Sequence, residues 1–262
     1  VTAFTAEAFP EVVRDRFHSS SSLDNSCVSE NKGERWLIVE TSGRRGQVAL
    51  AEGSTINAIR ALDETRRHAR DLAPAVGDLL KEKGWRPRDL TGVIVSRGPG
   101  SYTGLRVGIA SAKAFAYATA SVLIAVDTFA AVAAQAPSKL QLLDVIGDAQ
   151  QEKVYLQQFS RQDGNSDLHA VTSLAIVEFS TWLTGRDSAA WVSGPGLHRF
   201  QDRLPPRCLV VDAALWDPTA DSLLRLGRAR YARGERDDLY TLEPLYLRPS
   251  SAEEQWARRQ TS

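Results

Sequence analysis

The 262-residue chain has no methionine, two cysteines and no net charge. Methionine is missing even from position 1, which an alternative start codon or a trimmed chain would each explain. Cys27 and Cys208 stand alone without C-x-x-C spacing, so neither a zinc site nor a disulfide framework is supported, and a reducing, cytoplasmic setting fits. No apolar run approaches the roughly 20 residues of a membrane span, and the first segment lacks the apolar core of a signal peptide. Lys plus Arg and Asp plus Glu each total 32, which is not the balance of an autonomous nucleic-acid binder. His18, His68, His169 and His198 include no i, i+4 pair and none neighbours a cysteine, so a helical metal site is not indicated. No serine stands in G-x-S-x-G, which removes the usual hydrolase elbow.

What remains is an ordinary globular composition, 43% apolar and 24% charged. A chain of this length can bury roughly 70–75% of its unfolded surface, and it suits one large domain or two small ones. Residues 1–34 carry a serine cluster with scattered charges and no periodicity, and read as a flexible N-terminal extension. Order begins with the apolar run Trp36–Val39, which ends at Glu40-Thr41-Ser42-Gly43. Return strands follow near Gln47–Leu50 and Ile56–Arg60. Ala69, Leu72, Ala73, Val76, Leu79 and Leu80 form a helical stripe closed by Gly84, with Pro74 marking a late start or a kink. Strand Val93–Val95, a small-residue helix, strand Val122–Val126 and a short helix through Ala134 complete a first α/β unit over 35–135. Three strands followed by right-handed crossovers predict a mixed, ribonuclease-H-like sheet with flanking helices.

Within that unit the segment Gly98-Pro99-Gly100-Ser101-Tyr102-Thr103-Gly104-Leu105-Arg106-Val107-Gly108 is the most informative in the chain. The two glycines and the proline predict a rigid turn. Ser101 or Thr103 can then cap the helix that follows. A phosphate cradle rests on geometry alone, because neither nucleotide motif fits. The fifth residue after Gly98 is Thr103 with no Lys-Ser or Lys-Thr after it, and the third glycine of G-x-G-x-x-G arrives one residue late, at Gly104. Beyond the turn, Gly104, Gly108, Ala112, Ala116 and Ala120 recur every fourth residue and share one helix face. So flat a face either packs on the protein's own sheet and first helix or offers a partner a close approach.

The second half echoes the first. Leu142–Ile146 leads to Gly147-Asp148-Ala149, a return strand covers Val154–Gln157, and Ala189–Ser193 runs into a second Gly-Pro-Gly at Gly194–Gly196. A second subdomain over 136–218 is predicted, with the helix at 219–234 packing back on the first and 235–262 forming an extended tail. Glu40 and Asp148 fall at equivalent turns, where each could serve a metal or simply hydrogen-bond its own turn. Arg225, Arg228, Arg230 and Arg233 make the last helix either a surface for RNA or a solvated face.

The segment Gly98–Gly108 follows G-P-G-S-[FY]-T-G-[LV]-R-[IV]-G throughout, and with Leu37–Ser42, Asp148-Ala149 with Val154-Tyr155, and Leu242–Arg248 the chain resembles the TsaB family. These are the dimerisation subunits of the bacterial complex that makes threonylcarbamoyladenosine in tRNA. The resemblance covers residues 36–248 and implies an actin-like ATPase superfamily fold with a degenerate nucleotide site, no catalytic residues and no cofactor of its own. ATP, threonylcarbamoyl-AMP and metal are then expected on partner subunits: a TsaD-like catalytic subunit, whose H-x-x-x-H this chain lacks, and a TsaE-like ATPase. tRNA is reached through the complex, a homodimer can form on the same seam when the chain is alone, and no membrane is involved. The family's first two helices pack against the catalytic subunit as a bundle. That carries the interface onto Leu72 and Val76 of the first helix and Gly104, Leu105, Gly108, Ala112 and Ala116 of the second, with Gly98, Pro99, Gly100, Ser101 and Thr103 as the structural turn. The N-terminal extension and a compact first turn bearing Arg44 and Arg45 depart from the family pattern. The alternative function is an independent nucleotide-binding enzyme, kinase- or peptidase-like, supported only by the fold and by Glu40 and Asp148.

Overall fold

A computed structural model describes residues 33–62, 68–161 and 167–247. Alternation of apolar side chains along the first strand sets up two packed faces. β1 (Arg35–Glu40) pairs antiparallel with β2 (Gln47–Glu52), which pairs with β3 (Thr55–Ala61). On its other side β1 runs parallel to β4 (Gly92–Gly98), and β4 to β5 (Val122–Asp127), giving the order β3-β2-β1-β4-β5. Leu37 and Val39 face one way and join Leu72, Val76 and Leu79 of α1 (His68–Lys83) and Ile109, Ala112 and Ala116 of α2 (Tyr102–Thr119). Trp36 and Ile38 face the other way, against Ala220, Leu223 and Leu224 of α6 (Ala220–Ala232). Pro74 lies inside α1 and not at its start.

The second sheet repeats the plan. β6 (Leu142–Asp148) pairs antiparallel with β7 (Lys153–Arg161) and parallel with β10 (Trp191–Ser193), and β10 runs parallel to β11 (Leu209–Val210). β8 (Leu168–Ala170) and β9 (Ala175–Glu178) both pair with β7. α3 (Thr128–Ala133) buries Phe129 and Val132 against Leu143, Val145 and Phe159. α4 (Phe179–Gly185) and α5 (Leu197–Phe200) cover the opposite face with Phe179, Trp182, Leu197 and Phe200. Two mixed sheets, each a hairpin joined to parallel strands and flanked by helices, make this the expected ribonuclease-H-like α/β architecture in two copies.

The expected N-terminal extension lies outside the described residues apart from Gly33 and Glu34, and Glu34 is tied down: its carboxylate meets Arg228 at 3.4 Å and its carbonyl accepts from the Gly53 amide at 2.8 Å. His18, Cys27 and Arg248 also lie outside them. Among the described residues no helix is long and apolar enough to cross a membrane.

Candidate partner-binding site

The Gly-Pro-Gly corner is built on the end of β1. Gly98 adopts φ +115°, the Gly98–Pro99 peptide is cis, and Ser101 donates its amide to the Ser42 carbonyl at 2.7 Å. A Cβ on Gly100 would overlap that same carbonyl, so only glycine fits between the two turns. Ser101, not Thr103, caps α2, its Oγ accepting from the Gly104 amide at 3.3 Å. The Thr41 hydroxyl then donates to the Gly104 carbonyl at 2.8 Å, deep in the protein. Glu40-Thr41-Ser42 is thus the socket and Gly98–Gly108 the plug.

This geometry places the interface residues expected from the sequence inside the protein. A Cβ on Gly104 would strike the Thr41 carbonyl oxygen, and one on Gly108 would strike the Thr41 hydroxyl. Gly104, Leu105, Gly108, Ala112 and Ala116 are all buried, as are Leu72 and Val76 of α1. The small residues are needed because α2 rides directly on the strand end, where any side chain would lift it off. All seven residues pack within this chain.

The solvent face of α2 is a different set. Thr103, Arg106, Ala110, Ala114, Tyr117 and Ala118 are exposed, and beside them Ala73, Pro74 and Gly77 are exposed on α1, with open space where a Gly77 Cβ would stand. Ala110, Ala114 and Ala118 form a second four-residue rhythm, half a turn from the buried one. The signal was present in the sequence. With small residues on both faces, periodicity by itself could not say which face turns inward.

Glu40 is fully buried. Its Oε1 accepts from both the amide and the hydroxyl of Ser42 at 2.5 Å, while Oε2 has no hydrogen-bond partner. Burial pushes its carboxyl up to about 7, against the opposing pull of the Ser42 bonds. Its counterpart Asp148 is exposed, accepts from the Gln150 amide at 2.8 Å and pairs with Arg199 at 3.1 Å. Both acids therefore hydrogen-bond the turns they sit on. Among the described residues no three His, Cys, Asp or Glu side chains are grouped to hold a metal ion.

The arginines of α6 and its C-cap are engaged within the chain: Arg225 with Asp167 at 2.7 Å, Arg228 with Glu34, Arg230 with Glu235 and Asp237 at 2.8 and 2.9 Å, and Arg233 with Glu235 at 2.6 Å. Each of these arginines is thus paired with a carboxylate of this chain.

The family model of TsaD, tRNA N6-adenosine threonylcarbamoyltransferase, matches residues 62–186. The tRNA threonylcarbamoyladenosine biosynthesis protein TsaB of Escherichia coli is 30% identical over 224 residues, covering 83% of this chain and 96% of that protein. Its namesake from Bacillus subtilis is 29% identical over 231 residues, covering 86% and 98%. Among solved structures, YeaZ from Pseudomonas aeruginosa superposes with a TM-score of 0.70 at 28% identity, over 82% of this chain and all of that one. With the long motif intact, the two-sheet fold in place and a relative matched over nearly its whole length, the chain belongs to the TsaB family.

Proposed function

We propose that this chain is a non-catalytic subunit that docks onto and activates a TsaD-like catalytic subunit in the synthesis of N6-threonylcarbamoyladenosine in tRNA. A TsaE-like ATPase completes the assembly, and tRNA is reached through it. The observation that carries this reading is the corner itself. It devotes the protein's most constrained residues to seating α2, whose outer face of Ala110, Ala114 and Ala118 is flat enough for another helix to approach closely. The acid at this corner, Glu40, is sealed inside and serves its own turn, which favours a structural role over a catalytic one.

Reconstitution of the tRNA modification from purified subunits tests the function: omission of this chain should abolish or strongly reduce product, and unchanged product would overturn the proposal. An Ala114→Arg substitution tests the docking face. Added bulk and charge at a close helix contact should weaken binding to the catalytic subunit by at least about tenfold, with thermal stability unchanged because the site is exposed. Micromolar binding of ATP with magnesium by the isolated chain would instead support the independent-enzyme alternative.

A further inference from the structure

We infer that the strap Asp238–Leu247, which runs along the flank of α2, is part of the partner-binding face and supplies its tyrosine anchors. This deepens the docking role proposed above and rests on it. The large hydrophobic side chains left exposed among the described residues are Ile59, Tyr117, Val171, Leu209, Tyr240 and Tyr246. Three of the six, all tyrosines, lie on α2 or on this strap.

The strap is anchored at several points. Leu242 is buried in the α1–α2 core. Lys113 of α2 donates to the carbonyls of Tyr240 and Leu242 at 3.3 and 3.1 Å, and the Leu245 amide donates to the Arg97 carbonyl at 2.8 Å. Tyr246 stacks on Tyr102 with ring centroids 4.7 Å apart, and the Arg106 guanidinium lies 5.5 Å from the Tyr102 ring. Tyr240 is 75% exposed, yet its backbone is held firmly. One oxygen of Asp238 accepts from the amides of Tyr240 and Thr241 and from the Thr241 hydroxyl, at 2.8 to 3.1 Å. Those bonds also keep the Asp238 carboxyl below the usual carboxylate range.

A large aromatic ring presented to water on a pinned turn is the arrangement of an interface anchor, because little backbone entropy remains to be lost on binding. Tyr117 lies one turn beyond Lys113 on the same flank, so Tyr246, Arg106, Tyr240 and Tyr117 border the alanine face along its length. The charges at this border are balanced, Arg106 and Lys113 of α2 against Asp238 and Glu243 of the strap, and Lys113 is engaged by the strap's own carbonyls. Its tyrosine rings and the alanine face they adjoin therefore carry the contact, and the occupant is the catalytic subunit of the docking role proposed above, presenting an apolar helix face.

The test measures heterodimer affinity between the full chain and the purified catalytic subunit for Tyr240→Ala, Tyr246→Ala, Tyr240→Phe and the distant control Ile59→Ala. Tyr240→Ala and Tyr246→Ala should each weaken binding by about tenfold or more, Tyr240→Phe should recover most of the loss, and Ile59→Ala should stay within about twofold. Tyr240 carries the decision even if Tyr246→Ala loosens the strap, because a ring so exposed contributes little to folding. Wild-type affinity in a folded Tyr240→Ala protein overturns the inference. So does a loss confined to self-association, or to tRNA binding with heterodimer affinity intact. Failure of the wild-type chain to bind at all would instead remove the docking reading beneath it.

Discussion

The two Gly-Pro-Gly corners begin from the same conformation of their first glycine, though only the first has a cis Gly–Pro peptide, and end in different devices. Gly98 and Gly194 share nearly the same backbone angle, φ +115° and +113°, and each corner hooks onto the neighbouring parallel strand or the residues just beyond it by an amide-to-carbonyl bond. The bonds run from Ser101 to Ser42 at 2.7 Å and from Gly196 to Ile146 at 2.9 Å. From the first corner springs an 18-residue helix capped by Ser101; from the second, a four-residue helix without a side-chain cap. The first seals its acid, Glu40, inside. The second leaves Asp148 outside in a network with Arg199, Glu152 and Arg203 that clamps a turn whose Gln150, Gln151 and Glu152 all have positive φ. One corner is therefore built to hold up a helix and the other to hold down a hairpin.

The largest effect should come from filling the plug of the first corner. Gly104→Val places a branched side chain on a buried carbonyl and should cost more than about 4 kcal/mol, enough to leave little folded protein in a denaturation assay. Gly108→Leu should behave similarly, losing fold and partner together. A folded Gly108→Leu protein that merely fails to bind would restore the buried seam as a direct interface.

Next comes the sealed acid. Because the folded-state carboxyl of Glu40 is raised to about 7, the folded protein binds a proton that the unfolded chain releases nearer pH 4.5. Stability from this group is present below that lower value and is lost as pH rises through 7, amounting to about 3 kcal/mol at full ionisation. Glu40→Gln should flatten the stability profile between pH 5 and 7. A profile as steep as that of the wild type would mean that Glu40 is not the titrating group.

The second corner should be more forgiving. Gly194→Ala meets an unfavourable φ and the Ile146 carbonyl, for a loss of about 2–3 kcal/mol measured by urea unfolding. Arg199→Ala, which breaks exposed ion pairs and removes a guanidinium lying 5.2 Å from the Phe200 ring centre, should cost about 1 kcal/mol. If it costs as much as Gly194→Ala, the clamp on the hairpin matters more than its exposure implies.

Much of this architecture was legible in the sequence. Continuous apolar runs such as Trp36–Val39 and Val93–Val95 marked the strands, the stripe from Leu72 to Leu80 marked α1, and the repeated order of acid turn, return strand and Gly-Pro-Gly marked the second copy. β8 and β9 left no such mark, because their side chains are mostly exposed and they hold together by pairing with β7. The arginines of α6 looked like a basic face because their partners, Glu34 and Asp167 among them, are remote in sequence.

The sequence alone determined that a rigid turn would launch a helix with little side-chain relief, since glycine, proline and a capping serine restrict the backbone through local sterics and hydrogen bonding. Which side of that helix would meet water was decided only by tertiary structure. The Thr41 carbonyl and hydroxyl occupy the space where Gly104 and Gly108 would carry side chains, so that flank turns inward and the alanines turn outward. Helical periodicity is local and symmetric between two small faces. The contact that breaks the symmetry comes from a strand more than sixty residues earlier in the chain.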